Sequence, residues 1–238
     1  MNRIGIILLA GSGVRLYPVI HEKKQFYPVS GKALFLYSVE AFLSSGLFSE
    51  IVLVADSDDL GRTQNLVRND PQIAKKAKIS YVSGGKDRNE SVLNSLLFLR
   101  KRKGNFFIFI HDSDRPLVSQ KLLKVLAKGT EKYEALTPVI PVHDSLLRQK
   151  GKNISYIDRS NAFSIQTPQV FDFRKILKVY INGYDPEDTD DFAKAVRAGM
   201  KAHTVRGEAQ DFKITEKDDL ELFQSLTKGE NRFDVFVA

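Results

Sequence analysis

Short apolar runs alternating with helix-patterned segments constrain this chain more than any other feature. Ile4 to Ala10, Ile51 to Ala55, Ile79 to Val82 and Phe106 to His111 are each of strand length. Runs this apolar belong to a sheet covered on both faces, where neither side of a strand meets water. Between them, Leu34 to Ser45, Gln64 to Lys76 and Ser91 to Lys101 carry helical patterning. This is the βαβ rhythm of a mostly parallel sheet. It continues through a helix from Ser119 to Lys128 and a strand from Ala135 to Val142, then breaks. Residues 144–164 are polar and contain the turn-like Lys150-Gly-Lys-Asn153 ahead of the strand-like Ile154 to Ile157, which predicts a β-hairpin arm. Helices at Phe173 to Asn182 and Asp190 to Ala198, a strand at Ala202 to Val205 and a helix from Glu216 to Lys228 complete the pattern. The expected fold is α/β: a Rossmann-like, mostly parallel sheet with helices on both faces. Residues 1–238 form a single domain, with an arm at about 144–164.

Composition narrows the class. Hydrophobic residues at 42% and charged residues at 27% are those of a soluble globular protein. With no cysteine, disulfides, thiolate metal sites and cysteine nucleophiles are excluded, and a cytoplasmic setting is expected. The apolar run Ile4 to Ala10 is too short to span a bilayer. The net charge of +7 is compatible with nucleic acid, a membrane surface or small polyanions. Its densest cluster, Arg100 to Lys103, ends a helical stretch before Gly104, where cations favour a helix C-terminus. With no recognition motif and no interleaved aromatics, neither nucleic acid nor membrane is expected as a partner.

The chemistry-bearing residues collect at strand ends. The first strand runs into Leu9-Ala10-Gly11-Ser12-Gly13-Val14-Arg15, a small-residue loop at a carboxyl edge, where open α/β sheets bind ligands. It is neither the dinucleotide fingerprint nor a Walker loop, and a purely structural turn explains the glycines as well. Arg15 adds a guanidinium that can fork onto phosphate oxygens, and Lys24 adds a second cation a short loop away. Lys23 is read as a solvated surface charge. A second glycine loop, Gly84-Gly85-Lys86-Asp87-Arg88, opens a helix at which Ser91 either caps or meets a base. His111-Asp112-Ser113-Asp114-Arg115-Pro116 ends the fourth strand. Asp112 is its candidate metal ligand, Ser119 the alternative cap for the next helix, and His111 a packed strand-end histidine.

Leu8 to Arg15, Lys24-Gln25, Gly84 to Arg88 and His111 to Pro116 are followed by Asp158-Arg159, Gln166-Thr-Pro-Gln169, Thr189-Asp190 and Phe212-Lys-Ile-Thr215. In this order they resemble the 2-C-methyl-D-erythritol 4-phosphate cytidylyltransferase family and its relative, ribitol-5-phosphate cytidylyltransferase. The resemblance implies CTP and a polyol phosphate as substrates, Mg2+ or another divalent cation as cofactor, and a homodimer formed through the arm. It implies that Gly11, Gly13, Arg15 and Lys24 hold the triphosphate, with Leu9 and Ala10 beside the nucleotide. Gly85, Lys86 and Ser91 lie at the base, and Asp112 lies at the metal-phosphate centre. Arg115, Ser145, Arg159, Thr167, Thr189 and Lys213 match positions that receive the sugar phosphate, with Arg159 resembling a residue delivered by a partner's arm. Arg15, Lys24, Asp112 and Lys213 are the expected catalytic set.

The chain departs from the family's pattern at three positions. Lys23 stands where proline is usual before the lysine, and Lys86 replaces an acidic residue commonly found beside the base. Asp211 takes the place of a frequent asparagine, where a carboxylate is expected to pair with Lys213. The methylerythritol phosphate reaction is the leading reading; a ribitol-phosphate enzyme and a catalytically weak nucleotide-binding homologue are the alternatives.

Overall fold

The apolar runs form the middle of one sheet. The computed structural model describes residues 2–11, 16–74, 78–183, 185 and 188–228. Its first half comprises β1 (Asn2–Leu8), α1 (Tyr17–Ile20), β2 (Pro28–Val29), β3 (Lys32–Ala33), α2 (Leu34–Ser44), β4 (Glu50–Ala55), α3 (Leu60–Asn69), β5 (Lys78–Ser83) and α4 (Arg88–Leu99). The second half comprises β6 (Phe106–Asp112), α5 (Gln120–Gly129), β7 (Ala135–Pro141), β8 (Leu146–Lys150), β9 (Asn153–Ile157), β10 (Phe163–Ile165), β11 (Gln169–Asp172), α6 (Phe173–Asn182), α7 (Asp191–Arg197), β12 (Ala202–Arg206) and α8 (Lys217–Lys228). The principal sheet runs β10-β7-β11-β6-β1-β4-β5, with β12 also paired to β7. β1, β4, β5 and β6 are mutually parallel, β11 is antiparallel to both β6 and β7, and β10 is antiparallel to β7.

Side-chain alternation divides the core into two layers. Ile7, Leu53 and Phe109 pack on one face with Val39 and Phe42 of α2 and Leu122 and Leu126 of α5. Ile6, Val54 and Ile108 pack on the other with Leu96 of α4, Ile176 of α6 and Ala195 of α7. Gly5 lets α2 close down, since a Cβ there would sit 2.7 Å from the Phe42 ring. A smaller cluster of Leu16, Val29, Leu34, Ile214, Leu220 and Phe223 holds α8 against the β2-β3 corner. Among the described residues no helix is long and apolar enough to cross a membrane.

Three boundaries differ from the sequence reading. The first strand ends at Leu8 because the amides of Leu9 and Ala10 both turn onto the Val54 carbonyl, at 2.7 and 3.0 Å. The helix expected to reach Lys76 stops at Asn69, where Asp70, held extended at φ −85° and ψ 112°, precedes Pro71. A residue before proline is disfavoured in the helical region. Finally, β10 and β11 occupy stretches given no strand by pattern. The expected turn at Lys150 to Asn153 does close a hairpin, β8-β9, with Gly151 at φ +61°.

Candidate active site

The sheet order places the functional loops together. β1 has β4 on one side and β6 on the other, so the chain changes direction across β1, and ligands of open α/β sheets bind at such a switch point. Leu8 stands in register with Asp112, and the Ser113 amide donates to the Leu8 carbonyl at 3.1 Å. The glycine loop after β1 and the acidic loop after β6 therefore begin side by side. The second glycine loop closes on the first: a Cβ on Gly84 would lie 2.7 Å from the Ala10 Cβ, so only glycine fits. Between these loops is a cleft of ≈ 350 Å³ lined by Leu9, Ala10, Gly11, Lys24, Arg88, Asp112, Asp114 and Lys213, among others. Gly13 and Arg15 lie outside the described residues.

Each described cation of the cleft meets a carboxylate. Lys24 Nζ lies 2.5 Å from Asp114 Oδ2 and donates to the Ile214 carbonyl at 2.7 Å. Lys213 Nζ is 3.0 Å from Asp112 Oδ2 and 3.6 Å from Asp114 Oδ1. Arg88 reaches Asp112 Oδ1 at 3.3 Å and Asp191 Oδ2 at 2.8 Å. Burial disfavours charge on Asp112, but Arg88 and Lys213 outweigh it and hold the carboxyl well below the usual carboxylate range. Burial likewise works against the Arg88 guanidinium, and Asp191 and Asp112 more than offset it, raising its pKa.

Packing around α8 fixes Lys213. The Ile214 amide donates to the Asp114 carbonyl at 2.8 Å, and the Ile214 side chain enters the third core cluster. Thr215 N, Thr215 Oγ1 and Glu216 N converge on Asp219 Oδ2 at 2.8, 2.8 and 2.9 Å, tying the segment to the first turn of α8. On the other side of the cleft Gln25, almost wholly buried, donates to the Leu9 and Gly11 carbonyls at 2.7 and 3.1 Å, shaping the first glycine loop.

His111 is a packed residue, as its position at a strand end predicts. Burial depresses its pKa to about 4, so the ring is neutral near pH 7. Thr167 Oγ1 accepts from the Asp112 amide at 3.2 Å and lies 2.9 Å from His111 Nδ1, while Nε2 is 3.0 Å from the Arg115 carbonyl. A consistent proton arrangement has Thr167 donating to Nδ1 and Nε2–H donating to Arg115. Thr167 thus fixes the backbone that presents Asp112.

In the second glycine loop the helix cap is not Ser91. Asp87 is the cap of α4, its Oδ1 accepting from the Glu90 amide at 2.8 Å. Ser91 lies inside the helix, where its hydroxyl accepts from Gly85 N at 3.0 Å and donates to the Asp87 carbonyl at 2.8 Å. It shapes the loop from behind. Lys86 is exposed, and its amide donates to Glu90 Oε2 at 2.9 Å. Ser119 does cap α5, accepting from Leu122 N at 3.0 Å, which leaves Asp112 to the cations.

The positions matched to the sugar phosphate are spread more widely. Arg115 turns toward the loop before Lys213 and donates to the Asp211 carbonyl at 2.7 Å. Ser145 is exposed where the arm begins, and Arg159 is exposed in a hollow at its base with His143 and Phe163. Thr189 is exposed beside Asp190, whose Oδ1 caps α7 by accepting from Ala193 N at 2.7 Å. None of these four lines the cleft within a single chain. Asp211 does not pair with Lys213. It is fully buried, neither carboxylate oxygen has a hydrogen-bond partner among the described residues, and burial pushes its pKa up to about 8.

Sequence reasoning missed Asp114, Arg88, Gln25 and Asp191 as site residues. The signal for the first is its place two residues past Asp112, in the turn that leaves β6. Arg88 and Gln25 adjoin positions already singled out; nothing local marks Asp191, whose partner lies 103 residues away. Lys23, expected as a solvated charge, instead lies 2.6 Å from both Asp56 Oδ2 and Asp59 Oδ2. The donor set also suits a hard cation. Asp112 and Asp114 meet at Lys213, and Asp114 Oδ1 is buried without a hydrogen bond. Among the described residues no three His, Cys, Asp or Glu side chains gather as a metal site, so phosphate oxygens and water would complete the shell, as is usual for Mg2+.

Comparison with known proteins identifies the family. The model of the 2-C-methyl-D-erythritol 4-phosphate cytidylyltransferase family matches residues 4–228. A relative of that name from Thermotoga neapolitana is 32% identical over 225 residues, covering 94% of this chain and 96% of the relative. The crystal structure of the Francisella tularensis 2-C-methyl-D-erythritol 4-phosphate cytidylyltransferase superposes with TM-score 0.78 at 25% identity, covering 94% of this chain and 100% of that one. The structure of 4-diphosphocytidyl-2C-methyl-D-erythritol synthase from Anaerococcus prevotii shares the fold with TM-score 0.79 at 23% identity, covering 95% and 98%. This chain belongs to the 2-C-methyl-D-erythritol 4-phosphate cytidylyltransferase family.

Proposed function

We propose that the cleft joins CTP to 2-C-methyl-D-erythritol 4-phosphate, forming 4-diphosphocytidyl-2-C-methyl-D-erythritol and pyrophosphate for non-mevalonate isoprenoid precursor synthesis. The observation that carries the reading is the meeting of Lys24 and Lys213 on neighbouring carboxylates at one strand-end cleft. An acceptor phosphate oxygen attacks the α-phosphorus in line. The new P–O bond forms as the bond to the β-phosphate breaks, and pyrophosphate leaves with the electron pair. No general base is required, because a phosphate monoester is already anionic near pH 7, and the neutral His111 is not recruited as one.

Bringing two polyanions together is the main barrier, so the work falls to cations and to positioning. Lys24 takes triphosphate oxygens and Lys213 the charge that develops at the α-phosphate, each exchanging its carboxylate for a phosphate. The resemblance adds Arg15 as a third triphosphate ligand. Asp112, with Asp114 beside it, would hold Mg2+, which would further neutralise the phosphates. The Gly84-Gly85 loop, braced by Ser91, borders the base.

The acceptor's end of the site is completed by a second copy. The arm carries Leu147, Ile154 and Tyr156 on one face, exposed by 53, 62 and 80%. Apolar side chains displayed on an isolated hairpin mark a contact surface. A homodimer that covers it brings Arg159 to the partner's cleft, joining Thr189 and Arg115 around the sugar phosphate. The cysteine-free composition suits the reducing cytoplasm.

Incubation with CTP, Mg2+ and each polyol phosphate, followed by pyrophosphate release, tests the reading. Turnover with methylerythritol phosphate is expected. Turnover with ribitol 5-phosphate and none with methylerythritol phosphate overturns the acceptor; none with either overturns the enzyme.

A further inference from the structure

The segment that delivers Lys24 is gripped from two sides. Toward the cleft, Lys24 meets Asp114 and the Ile214 carbonyl, and Gln25 holds the first glycine loop. Away from it, Lys23 reaches Asp56, just past β4, and Asp59, in the 3-10 turn that leads into α3. Both carboxylates lie 2.6 Å from the same ammonium. The residues on either side of this grip reinforce it: Glu22 pairs with Arg62 at 2.5 Å, and the Arg62 guanidinium lies 4.5 Å over the buried Phe26 ring. Successive residues thus bind in opposite directions. Lys23 ties the backbone to the end of β4, while Lys24 projects into the cleft from the same short turn.

We propose that Lys23, through Asp56 and Asp59, is a positioning residue for Lys24, so that CTP binding depends on an ion-pair cluster outside the cleft. The proposal rests on the reading of Lys24 as a triphosphate ligand. A lysine on a free loop finds phosphate at an entropic cost; one whose neighbouring residue is anchored is already in place. Release of the anchor therefore acts on the nucleotide rather than on the acceptor.

A double-mutant cycle tests this on the intact protein, with KM for CTP and KM for the acceptor measured separately. Lys23→Ala and the pair Asp56→Asn with Asp59→Asn are each expected to raise KM for CTP by about tenfold while KM for the acceptor stays within about twofold. Combining all three changes is expected to do no more than either set alone, because they break one cluster. The carboxylate pair leaves Lys23 in place and keeps the proposal falsifiable should Lys23→Ala fold poorly. A KM for CTP within about twofold of the parent in that pair overturns the proposal, as does a combined effect near the product of the two, about a hundredfold. Lys24→Ala measured alongside separates the underlying reading: an unchanged KM for CTP there removes Lys24 as a phosphate ligand, and the proposal with it.

Discussion

The cleft and the arm solve opposite problems. In the cleft, charges are withdrawn from water and each described cation finds a carboxylate within the same chain: Lys24 with Asp114, Lys213 with Asp112, Arg88 with Asp112 and Asp191. In the arm, Leu147, Ile154 and Tyr156 face solvent. Charge is satisfied within one chain at the cleft, whereas the apolar face of the hairpin is left uncovered by the described residues. A face of that kind suits a second protein surface better than a small polyanion.

The largest effect is expected behind the cleft. Asp191 is fully buried, bonded to Tyr180 and Arg88, and close to the buried Lys194, whose pKa burial lowers. Asp191→Ala removes the acceptor shared by Tyr180 and Arg88 and a charge that Lys194 feels, and is expected to cost about 3–5 kcal/mol, read from denaturant unfolding. An effect below about 1 kcal/mol would show that the cleft's pairing is not structural. Lys213→Ala comes next. Turnover is expected to fall by about a hundredfold or more with little change in melting temperature, as for loss of one transition-state donor; unchanged turnover removes Lys213 from the mechanism.

The arm offers a test of its own. Ile154→Asp with Tyr156→Asp places charge on its apolar face and is expected to weaken dimerisation by about 30-fold, measured by sedimentation. Oligomer strength identical to the parent's would exclude the arm as the contact. A pH-dependent test belongs to Asp211. Its pKa is raised from 3.8 to about 8, so the folded state holds a proton that the unfolded state has released. The folded state is therefore favoured below the ordinary carboxylate pKa, and that stability is lost as pH rises toward 8. Asp211→Asn is expected to raise the melting temperature by about ten degrees at pH 8 and far less at pH 4. The same gain at both values would assign the effect to something other than ionisation.

The parallel centre of the sheet was legible because it is buried on both faces: β1, β4 and β6 read as unbroken apolar runs. β11 was not, since four residues from Gln169 to Asp172 take strand form only by pairing with β6 and β7, partners distant in sequence. The end of α3 was legible in principle, at the residue before Pro71, but helical patterning beyond it masked the stop. The site followed the same division. Strand-end loops and their cations showed in local sequence, whereas the carboxylate each cation meets did not: Lys24 and Asp114 are 90 residues apart, Lys213 and Asp112 101. Lys23 shows the cost of judging a charge by its neighbours in sequence alone.

The bond from Lys24 to the Ile214 carbonyl spans 190 residues. Undocking α8 would free Thr215 from Asp219 and, with it, the segment whose Ile214 carbonyl and Lys213 side chain face Lys24 and Asp112. A helix outside the sheet thus decides whether both lysines are held in place.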